Sequence, residues 1–168
     1  MKRLLFGTAV GALAGTLFGF ALGIFIYPFW FLNDAATEQL VQNSARVELA
    51  KGEFIHANPS DPVHYGKGHV TLYGEGDGRK TVHLADDFQV GPGPAYHVYL
   101  VDHAKVRSAA DFKSAGKVDL GKIRAFKGSQ IFPVPASTDM SAFKSIVVWC
   151  EEFGVLISPA TLVAVKRS

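Results

Sequence analysis

The chain contains a single cysteine, Cys150, which is a candidate for redox chemistry. A thiolate can ligate a haem or metal ion, form a mixed disulfide, or be oxidised to a sulfenic acid. Alternation along the surrounding apolar run predicts that Cys150 shares a strand face with Val148, while Trp149 points to the opposite face. Nearby positive charge favours a reactive thiolate, whereas Glu151 and Glu152 follow this one. The residues alone therefore leave two interpretations open, a working thiol and a small buried core residue.

The six histidines are the next candidates, because imidazole is a common metal ligand. His64 and His69 flank a four-residue loop that can bring them together, and they form the best local pair for a metal ion. The sequence lacks the HxH, HExxH and CxxC spacings that are typical of dedicated metal sites. The metal site at His64 and His69 is therefore predicted from proximity in the chain alone. Solvent exposure is the alternative explanation for His69, which falls on the polar side of its strand pattern.

Other catalytic signatures are missing from the sequence, including a nucleophile elbow, a phosphate-binding loop and a dinucleotide-binding glycine pattern. Residues 91–94 are rich in glycine, but two prolines there remove the amide donors that a phosphate ligand would need. The adjacent carboxylates at 86–87 and at 151–152 would point to opposite faces of a strand. We therefore predict that both pairs lie in solvated turns and do not form a catalytic dyad.

A β-rich domain must position these residues. From residue 52 onwards, short β-prone segments alternate with turn signals about every ten positions, which predicts an all-β fold. The expected architecture is an antiparallel β-sandwich or a barrel-like domain. Residues 146–149 are continuously apolar, which predicts a central strand covered on both faces. The predicted strands are 53–56, 68–74, 80–84, 96–101, 117–120, 130–134, 145–150 and 153–157.

An apolar run without charged side chains extends from Leu4 to Leu32. A helix needs about 20 apolar residues to cross a bilayer, so this run predicts one transmembrane helix. Lys2 and Arg3 precede it, and positive charge stays on the cytoplasmic side. We expect residues 1–32 to be an uncleaved signal anchor, with the N-terminus cytoplasmic and the domain extracytoplasmic, either periplasmic or extracellular. The alternative is a cleaved signal peptide, whose apolar region spans about 7–15 residues and ends in small residues.

Five glycines recur at every fourth position of this run, at Gly7, Gly11, Gly15, Gly19 and Gly23. This spacing predicts a shallow groove along one side of the helix, where a second helix can approach closely. We expect homo-oligomerisation or association with another membrane protein through this groove. The alternative is that glycine is simply frequent in transmembrane helices.

The chain beyond the anchor divides into a stalk and one domain. Residues 33–51 are mixed and polar and are predicted to form a juxtamembrane stalk, and residues 52–165 are predicted to form the β-domain. Without Lys2 and Arg3, 15 of the 17 basic residues remain against 15 acidic ones, so the external part is formally neutral. Because no basic stripe is evident, nucleic acid is not an expected partner.

Residues 145–157, which read SIVVWCEEFGVLI, carry a resemblance to a known family. This run resembles the closing motif of the DM-thirteen domain family, and the likeness extends in order from about residue 52 to residue 162. It includes residues 93–100, 118–121 and 127–130. The resemblance implies an extracytoplasmic all-β domain whose hallmark is a tryptophan–cysteine pair, here Trp149 and Cys150.

The resemblance also implies a redox or electron-transfer accessory role centred on Cys150, with Trp149 beside it. Cys150 would be a free redox thiol or a ligand to a prosthetic group, and either haem or a metal ion is compatible with this. Some relatives combine the domain with haem-binding and cytochrome b-type membrane domains. Because this sequence shows neither, we expect the electron donor to be another protein. The alternative is a non-catalytic cell-surface binding or adhesion module, in which Cys150 fills the core and loops 56–68 and 91–94 meet a partner.

Overall fold

A computed structural model of the chain describes residues 2–31, 35–40 and 45–166, and the following account covers those residues. Two helices and twelve strands lie within them. The helices are α1 (Lys2–Phe31) and α2 (Ala109–Ser114). The strands are β1 (Ala36–Thr37), β2 (Val47–Glu53), β3 (Gly66–Lys67), β4 (His69–Gly74), β5 (Lys80–Leu84), β6 (Gln89–Val90), β7 (Tyr96–Val101), β8 (Lys117–Lys122), β9 (Gly128–Val134), β10 (Ser145–Cys150), β11 (Val155–Thr161) and β12 (Val163–Ala164).

The strands form two large sheets and one short pair. The first sheet has the order β1-β9-β5-β4-β2-β12, and the second has the order β11-β10-β7-β8. Strands β3 and β6 form the separate pair. Neighbouring strands are antiparallel, except that β1 lies parallel to β9.

The two large sheets enclose a common hydrophobic core. Val82 and Phe132 of the first sheet, and Val98 and Ile146 of the second, are almost completely buried in it. Full burial of a side chain of this kind stabilises the fold by about 1.5–3 kcal/mol, which is why the alternating pattern specifies the sandwich. The all-β prediction is confirmed.

Strand β10 is buried along its whole length, as its continuous apolar sequence predicts. Val148 and Cys150 face the core between the sheets, whereas Val147 and Trp149 face a second cluster on the other side. Helix α2 covers this second cluster with Phe112. The prediction that Cys150 and Trp149 point to opposite faces is therefore confirmed.

The segment predicted to be a stalk contributes two strands to the first sheet, so the predicted domain boundary at residue 52 is wrong. Strand β1 pairs with β9, and β2 lies between β4 and β12. In β2 the exposed Lys51 follows the buried Ala50, because one face of this strand meets solvent. Such a strand is polar on average, which is why the sequence resembles a stalk. Residues 33–34 and 41–44 of the predicted stalk lie outside the described residues.

Just after β1, two side chains fasten the chain to the edge of the first sheet. The Glu38 carboxylate forms an ion pair with Arg124, in which Arg124 Nη2 lies 2.7 Å from Glu38 Oε2. The same carboxylate accepts a hydrogen bond from the backbone N–H of Ile131 at 2.8 Å. Arg124 also donates to the Ile131 carbonyl oxygen at 2.8 Å. The chain is therefore part of the domain within a few residues of α1.

Helix α1 has the length and composition that a membrane span requires. Its segment Gly7–Ile24 has a mean hydropathy of 1.6, and none of that segment is buried against the rest of the chain. Among the described residues this is the helix that is long and apolar enough to cross a bilayer. The predicted N-terminal apolar helix is thus confirmed, and its topology stays a prediction; Leu32 lies outside the described residues.

Candidate functional site beside Cys150

Cys150 is the last residue of β10, and antiparallel pairing places it opposite Tyr96, the first residue of β7. The chain reaches β7 through residues 91–94 and then Ala95, which has a φ of 49°. A positive φ is uncommon for a residue other than glycine, so surrounding contacts must hold this backbone. One of them is the hydrogen bond from the Glu151 N–H to the Ala95 carbonyl oxygen, at 3.0 Å.

The Cys150 thiol is fully buried and donates to the Pro94 carbonyl oxygen, with Sγ 3.2 Å from that oxygen. Burial raises the pKa of the thiol, and the carboxylates of Glu152 and Glu151 raise it further. Hydrogen bonds from the backbone N–H groups of Phe153 and Glu152 lower the pKa, each by less than burial raises it but by more than either carboxylate does. A buried, neutral thiol is typical of a structural cysteine, whereas reactive cysteines lie in exposed, electropositive surroundings.

Trp149 lies on the other side of β10, away from the Cys150 side chain. Its ring stacks on Phe112 with ring centroids 4.2 Å apart, and the Lys113 ammonium lies 5.8 Å from the ring centroid. Phe112 is also in edge contact with Tyr99, at a centroid distance of 5.1 Å. The structure therefore places Trp149 in the second hydrophobic cluster and does not bring it into one site with the thiol.

Tyr96, which lies opposite Cys150, has a buried hydroxyl group without a hydrogen-bond partner among the described residues. Its side chain is 1% exposed, and no described residue offers its hydroxyl a hydrogen bond. A buried hydroxyl without a partner costs about 1–3 kcal/mol. Burial raises the pKa of Tyr96, so the phenol is a neutral hydrogen-bond donor. A Cβ at Gly93 would lie 2.2 Å from the Tyr96 Oη, so glycine at 93 leaves room for the hydroxyl.

Tyr96 lines a cavity of about 580 Å³, which we call the Tyr96 cavity. Residues 61–65 form one wall and residues 92–94 another, and Tyr96, Phe153 and Ile24 of α1 complete the lining. Most of the surface is apolar. Val63 and Phe153 are 49% and 53% exposed, so apolar side chains also surround its opening. Pockets for small molecules have volumes of about 300–1,000 Å³ and this kind of lining.

Hydrogen bonds around Asp61 fix the first wall. The Asp61 Oδ1 accepts from the backbone N–H groups of Val63 and His64, each at 3.0 Å, and Oδ2 lies 2.6 Å from His64 Nδ1. The hydrogen bond from the His64 side chain, followed by the backbone N–H groups, lowers the pKa of Asp61 to about 2. The Gly91 N–H donates to the Tyr65 carbonyl oxygen at 3.0 Å, which ties the two walls together. The cavity is therefore preformed.

A comparison with known protein families matches residues 59–162 to the family described as electron transfer DM13. The chain belongs to this family. No curated protein and no solved structure matches the chain. The matched region contains Cys150, Tyr96 and both loops of the Tyr96 cavity, and the family description attaches an electron-transfer-related role to the DM13 domain.

Within the DM13 domain, the two histidines predicted as a metal pair have different partners. His64 is bonded to Asp61 in the cavity wall, whereas His69 Nδ1 lies 2.5 Å from Asp87 Oδ2 on the surface. Across residues 2–31, 35–40 and 45–166, no cluster of three or more His, Cys, Asp or Glu side chains is arranged to hold a metal ion. The structure therefore gives the metal prediction no support.

Two further predictions concern the carboxylate pairs and the glycine groove. Residues 86–87 and 151–152 are exposed and lie in turns, as predicted. The five glycines at positions 7, 11, 15, 19 and 23 are exposed on α1, and a Cβ at any of them would meet nothing within 4 Å. Their groove is therefore open within the chain, and what fills it stays a prediction.

Sequence reasoning gave Tyr96 and Gly93 no role of their own, although it named loops 56–68 and 91–94 as the surface that would meet a partner. The prolines at 92 and 94 argue against a phosphate site, because they remove backbone amide donors. Alternating glycine and proline also makes a wall with few side chains. Such a wall leaves space for a large neighbouring side chain, and Tyr96 follows two residues later. The alternating glycines and prolines before Tyr96 are present in the sequence of the DM13 domain. Their meaning becomes clear only once β7 is known to pair with β10.

Proposed function

We propose that this protein is a membrane-anchored, extracytoplasmic accessory of an electron-transfer chain. Its DM13 domain supports the electron-transfer role, and α1 supports anchoring because it is long and apolar enough to span a bilayer. Lys2 and Arg3 precede the span, which supports a cytoplasmic N-terminus. In spheroplasts or sealed right-side-out membrane vesicles, protease added from the outside should digest the domain, and without protease the domain should stay with the membrane fraction. Release of a soluble domain, or protection from the protease, would contradict this topology.

We place the redox group in the Tyr96 cavity and assign Cys150 a positioning role. The observation that carries this assignment is the hydrogen bond from the buried thiol to the Pro94 carbonyl oxygen, because Pro94 lines the cavity. The thiol thus helps to hold the cavity wall. Direct ligation of a haem or metal ion by Cys150 would require the thiol to leave Pro94 and to lose a proton, which burial disfavours.

The test is to purify the full chain from its own membranes and to record its absorption spectrum, metal content and redox titration. We expect a redox-active group that remains bound in Cys150→Ser, because the serine hydroxyl can donate to the same carbonyl oxygen. Loss of that group in a folded Cys150→Ser protein would show that the sulfur is a ligand. A protein without any redox-active group, even after mild extraction, would overturn the electron-transfer role.

A non-catalytic binding module is the second candidate, and the complete burial of Cys150 favours it. In that case the purified protein would be colourless and metal-free, and its thiol would react only after denaturation. Cys150→Ser would then keep the binding partner and cost a little stability. The absorption spectrum and the redox titration separate the two functions.

We further propose that α1 associates with a second membrane helix through the groove of Gly7, Gly11, Gly15, Gly19 and Gly23. The support is the unbroken four-residue spacing and the open space over each glycine. In a reporter assay of helix association in membranes, Gly15→Leu should reduce the signal, whereas Leu13→Ile, outside the groove, should leave it unchanged. An undiminished signal for Gly15→Leu would exclude the groove as the contact.

A further inference from the structure

One end of the domain presents apolar side chains to its surroundings. Val63 and Phe153 line the Tyr96 cavity and are 49% and 53% exposed, and three prolines of the same loops belong to the lining. We call this surface the loop face, and it consists of residues 61–65, residues 92–94 and Phe153. Exposed apolar side chains that are gathered in one place mark a surface that contacts a partner or a membrane.

Backbone hydrogen bonds connect the loop face with the place where the chain enters the domain. The Ala36 N–H donates to the Lys127 carbonyl oxygen at 3.0 Å. The preceding residue, Phe126, accepts at its carbonyl oxygen from the Val90 N–H at 2.8 Å. Since residues 92–94 follow directly after this segment, the loop face and the entry point of the chain at β1 lie close together.

The connection between α1 and the domain is short. Five Cα–Cα steps separate Phe31 from Ala36, so α1 and β1 are at most about 19 Å apart. The domain is therefore held at the membrane surface wherever α1 spans the bilayer. Such a tether keeps the effective concentration of the domain at the surface high, so weak apolar contacts suffice to hold one face on the lipid.

Ile24 of α1 shows which way the loop face is turned, because it lines the Tyr96 cavity together with that face. Ile24 lies within the apolar run, which continues beyond it to Leu32. It precedes Phe31, the last residue of α1, by seven residues, or about 10 Å along the helix axis. The loop face thus reaches back along the span. Apolar groups at membrane surfaces are buried to a similar depth, about 5–10 Å into the boundary between headgroups and acyl chains.

The charges near the loop face indicate the kind of lipid that it fits. Among the described residues that line the cavity, none is a lysine or an arginine. The exposed Glu151 and Glu152 directly precede Phe153. The Asp61 carboxylate is already bonded to His64 and to backbone N–H groups. Anionic headgroups would be repelled by this face, whereas zwitterionic headgroups such as phosphatidylcholine would not.

From these observations we infer that the loop face docks on the bilayer that α1 spans, with Val63 and Phe153 inserted among the headgroups of zwitterionic lipids. The opening of the Tyr96 cavity is then turned toward the lipid and away from the aqueous side. This inference rests on the proposed anchoring by α1, since the short tether is what holds the face at the surface. A partner protein is the competing occupant that the experiment has to exclude.

The test uses the full chain in phosphatidylcholine nanodiscs at one chain per disc, so that neither a second copy nor another protein can cover the loop face. A nitroxide is attached at Val63→Cys or, as the matched control, at Val163→Cys, each in the Cys150→Ser background. Both valines are exposed, but the seven-residue strand β11 separates Val163 from the Phe153 end of the domain by about 20 Å. Electron paramagnetic resonance measures how often each nitroxide collides with oxygen, which concentrates in lipid, and with a nickel chelate, which stays in water.

We expect the nitroxide at Val63 to collide with the nickel chelate several-fold less often than the nitroxide at Val163, and with oxygen more often. Adding Phe153→Glu should raise the nickel collision rate at Val63 toward that at Val163, because a charged side chain opposes insertion. Phe153→Leu keeps an apolar side chain and should leave the rate low.

Three outcomes would overturn the inference. The first is equal access of the nickel chelate to both nitroxides. The second is a nitroxide at Val63 that collides less often with oxygen as well as with nickel, since burial against protein lowers both rates. The third is a nitroxide at Val63 that is shielded in native membranes but not in nanodiscs, because a protein would then cover the loop face.

Failure of this inference can be distinguished from failure of the proposed function. If the loop face is open to water while the full chain stays with the membrane, only the docking is excluded. If the domain is released from the membrane as a soluble protein, the anchoring is excluded and the docking with it. If the domain docks but the purified chain carries no redox-active group, the docking stands and the electron-transfer role is excluded.

Discussion

Replacing Tyr96 with phenylalanine should stabilise the ligand-free protein, although it removes a polar group from a buried tyrosine. The phenol oxygen is excluded from water and has no hydrogen-bond partner among the described residues. Folding therefore removes water from this hydroxyl without compensation, and that cost is present only in the folded state. Tyr96→Phe keeps the ring and its edge contact with Phe126, and deletes only the oxygen.

The magnitude follows from the burial of that one atom. A buried, unpaired hydroxyl costs about 1–3 kcal/mol, and the loss of one oxygen's packing contacts offsets a few tenths of that. Because only one oxygen is deleted, the void that it leaves is smaller than a water molecule. We expect a gain of about 1–2 kcal/mol in the free energy of unfolding, which corresponds to an increase in Tm of about 3–8 °C for a domain of this size.

The assay is thermal and urea unfolding of the full chain in detergent or nanodiscs, after removal of bound small molecules. Tyr99→Phe is the matched control, since the Tyr99 hydroxyl donates to the Glu151 carboxylate at 2.5 Å. Its removal breaks a hydrogen bond and should lower the stability by about 0.5–1.5 kcal/mol. A lower Tm for Tyr96→Phe would show that the phenol has a partner in the folded protein, and the reasoning about the unused donor would be refuted.

Three further outcomes are expected. The single thiol of Cys150 should resist a thiol reagent in the native protein and react on unfolding, since burial raises its pKa; rapid reaction in the native state would contradict its position in the core. Arg124→Ala should lower the urea midpoint by the equivalent of about 1 kcal/mol, because it leaves Glu38 without its ion pair; an unchanged midpoint would mean that β1 does not depend on this pair. The hydrogen bond that His69 Nδ1 donates to Asp87 Oδ2 raises the pKa of His69, so the contribution of this pair to stability is complete below the unfolded pKa and is lost as the pH rises through the folded pKa. NMR titration of His69 should show this raised pKa, and Asp87→Asn should return it to the ordinary value; no difference between the two proteins would exclude the hydrogen bond.

The sequence predicted the second sheet well because local patterns determine it. The apolar run of β10 (Ser145–Cys150) and the alternation in β7 (Tyr96–Val101) each require burial of particular faces, and both strands have the predicted bounds. The opposite directions of Cys150 and Trp149 follow from the same two-residue period. In these two strands the local periodicity and the tertiary structure agree, so the local sequence pattern is enough to predict the strands and the faces that they bury.

The site could not be predicted in the same way, since it depends on contacts between distant segments. Residues 61–65 and 92–94 meet only because Gly91 bonds to Tyr65 and β3 pairs with β6. A tyrosine at the start of a strand is an ordinary core residue by its pattern, and its unpaired hydroxyl becomes apparent only when every neighbour is placed. The strands β1 and β2 were not predicted for a related reason. They pair with β9, β4 and β12, and these partner strands lie far from them in the sequence.

The ion pair between Glu38 and Arg124 has a further consequence under the membrane anchoring that we propose. Strand β1 pairs with Gly128 and Ser129 at the start of β9, and among the described residues no further strand pairs with this edge of β9. There Glu38 accepts from the Ile131 N–H and Arg124 donates to the Ile131 carbonyl oxygen, and two residues later Pro133 has no N–H at all. The edge thus offers little for an incoming strand to pair with, which would protect neighbouring copies from β-aggregation if the proposed anchors crowd them together.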